Sequence, residues 1–117
     1  MLHLGKSVAQ DDERALRVFE EACNDGYVRA CGVLGNMYLT GQGTPVNTKK
    51  ALENFDRSCA GRWGESCVAA AMLYHGGLAR TQDEALSQKR FEQGCEFGYQ
   101  PACRFLQGSA SADPLLR

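Results

Sequence analysis

The sequence has no excess of one charge and no long hydrophobic run. Its 117 residues include 13 Lys or Arg and 14 Asp or Glu residues, which gives a formal net charge of -1 at pH 7. A balanced chain of this kind has no broad positive field, so we do not expect a nucleic-acid partner. A membrane-spanning helix needs about 18 or more consecutive apolar residues, and no run approaches that length. We therefore expect no membrane insertion either.

The N-terminal segment lacks the features of a secretory leader. The opening MLHLGKSVAQDDER has no basic start, no sufficient apolar core and no small-residue cleavage site. Six cysteines that group into three pairs nevertheless favour an oxidising compartment. We expect a periplasmic or secreted protein whose leader is not present in this chain, either because it was removed or because Met1 is not the natural start.

We also find no catalytic motif in the sequence. Ser66 and Ser87 stand in neither a G-x-S-x-G elbow nor an S-x-x-K setting. The Gly-Gln-Gly stretch at 41–43 is not followed by the Lys-Ser or Lys-Thr of a phosphate-binding loop. We expect no catalytic residue, no metal and no cofactor, and so a protein that is not an enzyme.

The cysteines that are present follow a strict spacing. The members of each pair lie eight positions apart, and each pair follows the previous one after 36 residues. The pairs are Cys23 with Cys31, Cys59 with Cys67, and Cys95 with Cys103. A zinc knuckle favours C-x2-4-C, and this spacing is too wide for one knuckle. Zinc is therefore disfavoured, although cross-links, zinc and free buried thiols all stay open on spacing alone.

The same period of 36 residues extends beyond the cysteines, which indicates a repeat array. Phe19, Phe55 and Phe91 share one position, and an aromatic residue recurs at Tyr27, Trp63 and Tyr99. Within a period the apolar residues follow helical spacing, and the stretch TGQGTPVN would break a helix. We expect an all-α fold, a right-handed α-α superhelix (solenoid) of about three 36-residue helical hairpins. The first hairpin is truncated, because Met1 aligns with Met37 inside a first helix.

The pattern also gives approximate boundaries. Helices are predicted near 12–24, 29–40, 47–60, 65–75, 82–96 and 101–107. The array is expected to cover 1–107, with units near 1–28, 29–64 and 65–100 and a closing helix at 101–107. Residues 108–117 are small and polar and are expected to form a disordered tail.

The residues of one period carry a resemblance to a known family. The pattern AC..LG..Y..G.G...N...AL..F..SC resembles the SEL-one-like repeat, a tetratricopeptide-related helical unit, over 1–107. The C-x7-C pairs resemble the cysteine-rich, secreted Hcp-type subset from bacteria. The resemblance implies disulfides that staple each hairpin to the next, pairing Cys23–Cys31, Cys59–Cys67 and Cys95–Cys103. The third unit departs from the pattern, because Ala79 replaces its second turn glycine.

The resemblance also implies where a partner would bind. Tetratricopeptide-like arrays expose a concave surface that is lined by the first helix of each hairpin. The residues predicted to form a partner-binding face there are Arg29, Asn36, Leu39, Glu65, Val68, Met72, His75 and Arg104.

The predicted function is a non-catalytic protein–protein interaction module that binds a protein or peptide. A host factor, an assembly adaptor or a toxin-immunity protein would each fit. The alternative is weak penicillin binding or β-lactamase-like activity, as suggested for Hcp-type relatives. A homodimer through the open N-terminal face is a further expectation.

Overall fold

The computed structural model describes residues 4–77 and 82–111, with side chains described for 11–77 and 82–107. The described residues form helices and connecting turns, with no strand among them. The helices are α1 (Leu4–Asn24), α2 (Val28–Thr40), α3 (Thr48–Ala60), α4 (Gly64–Gly76), α5 (Glu84–Glu96) and α6 (Gln100–Ser111). None of these helices is both long and apolar enough to cross a membrane.

Local signals explain where the central helices begin and end. The side chain of Asn47 accepts a hydrogen bond from the Lys50 backbone N–H at 3.0 Å, which caps α3. Asp83 caps α5 in the same way through the Leu86 N–H. Gly41 ends α2 with a φ of 78°, in the left-handed region that glycine adopts without a Cβ penalty. The four central helices therefore agree with the predicted ones to within two residues.

Both ends of the array differ from the prediction. Helix α1 begins at Leu4, earlier than residue 12, because the segment before Asp11 contains no proline that would stop it. Helix α6 extends to Ser111, so residues 108–111 belong to a helix and not to a tail. Gly108 costs a helix only about 1 kcal/mol relative to alanine, and the first proline after it is Pro114. The changed turn around Ala79 and the segment 112–117 lie outside the described residues.

The helices pack in chain order as an α-solenoid, which confirms the predicted fold class. Helix α2 pairs with α3 and α4 pairs with α5, while α1 and α6 pack at the two ends. Phe55 is almost fully buried and packs against Gly35, where an added Cβ would lie 2.8 Å from the ring. The close crossing of α2 and α3 therefore requires a residue without a side chain at position 35. The core also contains Leu34, Tyr38, Ala51, Leu52, Ala70, Leu73 and Tyr74.

Three disulfides join the end of one hairpin to the start of the next. They pair Cys23–Cys31, Cys59–Cys67 and Cys95–Cys103, with Cα–Cα distances of 4.6 to 4.7 Å. The cross-links therefore lie at the junctions α1–α2, α3–α4 and α5–α6. All six sulfurs are used, so the zinc and free-thiol alternatives do not apply.

A second contact repeats every 36 residues. The Tyr38 hydroxyl donates a hydrogen bond to the Glu20 carboxylate at 2.7 Å, and the Tyr74 hydroxyl donates to Asp56 at 2.6 Å. Both tyrosines are buried. Burial, together with the hydrogen bond to Glu20, raises the pKa of Tyr38 to about 12. Burial and the bond to Asp56 raise the pKa of Tyr74 as well.

These tyrosines predict a loss of stability at alkaline pH. Unfolded tyrosine has a pKa of about 10, below the folded value of about 12 for Tyr38, so the neutral phenol stabilises the fold. The stabilisation by the neutral phenol is fully present below about pH 10 and is lost as the pH rises through about 12. We expect the free energy of unfolding, measured in urea, to fall over this range.

The substitution Tyr38→Phe should remove part of this alkaline decline, with the remainder due to Tyr74. It should also cost about 1–2 kcal/mol at neutral pH, because a hydrogen bond to a carboxylate is lost. Tyr27→Phe is the control, since Tyr27 is 69% exposed. An alkaline decline unchanged by Tyr38→Phe would contradict the assignment.

Candidate functional site

The predicted partner-binding residues do not all share one surface environment. Most of them are exposed on α2, α4 or α6, and these are Arg29, Asn36, Glu65, Met72, His75 and Arg104. Val68 is half-buried between two cavities. Leu39 is half-buried and packs against the hydrophobic core. Leu39 and Arg104 line neither of the cavities on this face.

The first cavity lies between α2 and α4 and has a volume of about 380 Å³. We call it the Trp63 cavity, and its lining includes Arg29, Gly32, Val33, Asn36, Phe55, Trp63, Glu65, Ser66, Val68, Ala69, Met72 and Tyr99. The Arg29 guanidinium lies 5.1 Å from the centroid of the Trp63 ring, a cation–π contact. A Cβ at Gly32 would lie 2.7 Å from the Ser66 hydroxyl, so this glycine allows α2 and α4 to approach closely. Five of the predicted partner-binding residues line this cavity, namely Arg29, Asn36, Glu65, Val68 and Met72.

The second cavity lies between α4, α5 and α6 and has a volume of about 530 Å³. We call it the Phe105 cavity, and it is lined by Val68, Met72, His75, Glu84, Ser87, Gln88, Phe91, Tyr99, Pro101 and Phe105. Val68, Met72 and Tyr99 line both cavities, which therefore adjoin. We call the two together the groove.

Aromatic and apolar side chains dominate the Phe105 cavity. The Phe91 and Phe105 rings are stacked, with centroids 4.1 Å apart. Phe91 is buried, whereas Phe105 is 50% and Met72 is 61% exposed. Large apolar side chains that remain this exposed beside a cavity are typical of interaction sites.

Charged groups lie at the two ends of α4. The Nδ1 atom of His75 lies 2.8 Å from a Glu84 carboxylate oxygen, and both side chains are mostly exposed. Such a surface pair contributes only about 0–1 kcal/mol to stability. The Gln82 side-chain amide also donates a hydrogen bond to Glu84 at 2.8 Å, so a ligand cation would replace two weak surface contacts. Glu65 lies at the other end, and no described residue forms an ion pair with it.

Ser87, His75 and Glu84 share a cavity, yet they do not form a catalytic triad. The Ser87 hydroxyl is buried and donates its hydrogen bond to the Ala71 carbonyl at 2.9 Å. Within the described ranges, no hydrogen bond joins Ser87 to His75, which a nucleophile and its base would need. Over the same residues, no group of three or more His, Cys, Asp or Glu side chains could hold a metal ion.

Several lining residues were missed by sequence reasoning, including Phe105, Phe91, Glu84 and Ser87. A signal for Phe105 was present, because its equivalents one and two periods earlier are the smaller Ala69 and Val33. A large residue at a position where the other repeats have a smaller one shows that this repeat differs from the others there. The contribution of α5 to the groove had no such signal.

Comparisons with known proteins decide the family. The model of the Sel1 repeat matches this chain three times, over residues 1–27, 28–61 and 64–96. This chain belongs to the Sel1 repeat family. Proteins with Sel1 repeats are generally scaffolds for protein interaction. No curated protein is significantly similar to the chain in sequence.

Solved structures support the same fold. Cysteine-rich protein B of Helicobacter pylori is similar with a TM-score of 0.74 and 22% identity, over 77% of this chain and 68% of that one. A Sel1 repeat protein from Oxalobacter formigenes also has a TM-score of 0.74, with 19% identity over 77% of this chain and 37% of that one. The three disulfides are typical of a protein in an oxidising compartment.

The contact between Arg29 and Trp63 predicts a local effect on the groove. Trp63 is the only tryptophan, so its fluorescence reports on the Trp63 cavity alone. We expect Arg29→Ala to increase acrylamide quenching of Trp63 and to cost about 0.5–1 kcal/mol of stability, because the guanidinium no longer covers the ring. Arg104→Ala is the control, as Arg104 lies outside both cavities. Equal quenching in the two variants would contradict the contact.

Proposed function

We propose that this Sel1 repeat protein is a non-catalytic, exported binding module that holds a segment of a protein or peptide partner in the groove. The observation that carries the proposal is the groove itself, where two adjoining cavities share Val68, Met72 and Tyr99. The partner would contact residues of α2, α4, α5 and α6.

The distribution of exposed apolar side chains supports this function. The large apolar residues most exposed among the described side chains are Val18, Tyr27, Val46, Met72 and Phe105. Two of the five, Met72 and Phe105, lie together in the Phe105 cavity, and the other three line neither cavity of the groove. Apolar anchors that cluster in a pocket contribute most of the binding energy in protein interfaces.

The rigidity of the scaffold supports it further. The disulfides hold α2, α4 and α6 at successive junctions, so the groove is formed before a partner arrives. A preformed site loses less conformational entropy on binding than a flexible one. Host interaction, assembly and toxin immunity would all use such a groove. The proposed protein acts in the periplasm or outside the cell. A homodimer through the N-terminal face stays a prediction.

Site-specific photo-crosslinking tests the proposed function. A photoreactive phenylalanine is placed at Asn36 or Met72 in the groove, and at Val18 or Val46 as controls. Val18 and Val46 are 61% and 59% exposed, which matches the exposure of Met72. We expect both groove positions to give the same cross-linked partner in cells that produce the protein, and the control positions to give none. Identical adducts from all four positions, or none from the groove, would contradict the proposal.

A further inference from the structure

We propose that the Phe105 cavity is the anchor site of the groove and accepts one large apolar side chain of a peptide that carries a nearby Lys or Arg. This inference rests on the proposed function and specifies the chemistry of the partner. It has three supports, which are the lining of the cavity, its continuity with the Trp63 cavity, and the charges beside it.

The lining selects an apolar group. The stacked rings of Phe91 and Phe105 form one wall, and Val68 and Met72 of α4 contribute another. The buried hydroxyl of Ser87 already donates to a backbone carbonyl, so it offers no proton to a polar ligand. A volume of about 530 Å³ lies within the roughly 300–1,000 Å³ of ligand pockets, which leaves room for a leucine or phenylalanine side chain.

The continuity of the groove favours a peptide over a compact small molecule. Val68, Met72 and Tyr99 border both cavities, so a chain anchored beside Phe105 continues directly past Met72 toward Trp63. A small apolar molecule would fill one cavity and leave the other empty. A peptide segment can bury its anchor in the larger cavity and lay its flanking residues along α4.

The charges select a cation next to the anchor. Glu84 lines the Phe105 cavity, and no Lys or Arg among the described residues lines it. Along α4, Glu65 precedes Met72 by seven residues, or about 10 Å. His75, which pairs with Glu84, follows Met72 by three residues, or about 5 Å. The two carboxylates therefore lie on either side of the anchor. An extended peptide rises about 3.3 Å per residue. A Lys or Arg one or two residues from the anchor therefore reaches Glu84. Glu65 attracts a cation less strongly, because Arg29 and Arg62 line the same cavities as Glu65.

Methyl NMR of methionine tests the inference with short synthetic peptides. The probe is an acetylated and amidated Gly-Lys-Gly-Phe-Gly-Gly, compared with one peptide in which Ala replaces Phe and one in which Glu replaces Lys. Met72 reports on the cavity, and Met37, which is 4% exposed in the core, is the internal control. We expect the probe at up to about 5 mM, enough to detect a millimolar Kd, to shift the Met72 methyl signal and leave Met37 unchanged.

The two altered peptides separate the apolar claim from the charge claim. We expect the Ala peptide to bind at least tenfold more weakly than the probe, and the Glu peptide several-fold more weakly, with a difference that shrinks at high salt. Equal binding of the Phe and Ala peptides, or no Met72 shift with any peptide, would overturn the anchor site. Equal binding of the Lys and Glu peptides would overturn the cation. A Met72 signal that moves with protein concentration alone would show a second copy in the cavity and would also overturn the proposal.

Variants of the protein provide the reciprocal test, with a fluorescently labelled probe followed by anisotropy. Met72→Lys should weaken binding at least tenfold, whereas Val18→Lys, at an equally exposed position, should not. Glu84→Gln should weaken binding up to about fivefold, and Glu53→Gln outside the groove should have no effect. If photo-crosslinks form at Met72 while these variants bind the probe like the parent protein, the result would support the proposed binding function and would overturn the proposed anchor site.

Discussion

The structure depends on the covalent junction between one helical hairpin and the next. Each disulfide closes a loop of nine residues between helix ends whose Cα atoms lie 4.6 to 4.7 Å apart. On the chain-entropy model, each contributes about 2–3 kcal/mol by restricting the unfolded chain. This is a large share for a thin array, because a whole domain is stabilised by only about 5–15 kcal/mol. The same junctions attach α2, α4 and α6 to the helices that precede them, and these three helices contribute residues to the groove.

The noncovalent contacts follow the same period and end where the sequence changes. The hydrogen bonds from Tyr38 to Glu20 and from Tyr74 to Asp56 are equivalent contacts one period apart. In the next period the acidic residue persists as Glu92, while the tyrosine is replaced by Ala110. The interior of the array therefore consists of repeated local contacts between neighbouring helices. Such an array obtains its rigidity from junctions and not from one large core.

The sequence predicted the repeated features well and the individual ones poorly. The period of 36 residues, the four central helices and the all-α class follow from residues that recur, and the disulfide pairing followed from the family resemblance. The two cavities lie at equivalent places one period apart, because six of the ten residues that line the Phe105 cavity follow a residue of the Trp63 cavity by 36 positions. The side chains at these positions differ, as with Phe105 in place of Ala69. A periodic pattern does not show which positions face a cavity, so the contributions of Glu84, Ser87 and Gln88 on α5 required the structure. Leu39 was predicted as a surface residue because its spacing alone does not show that it packs on the core.

The most direct test of this account is equilibrium unfolding in urea before and after reduction of the disulfides. The oxidised protein should unfold cooperatively, and the reduced protein, with six free thiols counted, should unfold at a much lower urea concentration because the three disulfides contribute a large share of the net stability. A reduced protein that unfolds at the same urea concentration as the oxidised one would contradict the claim that these junctions hold the array and its groove.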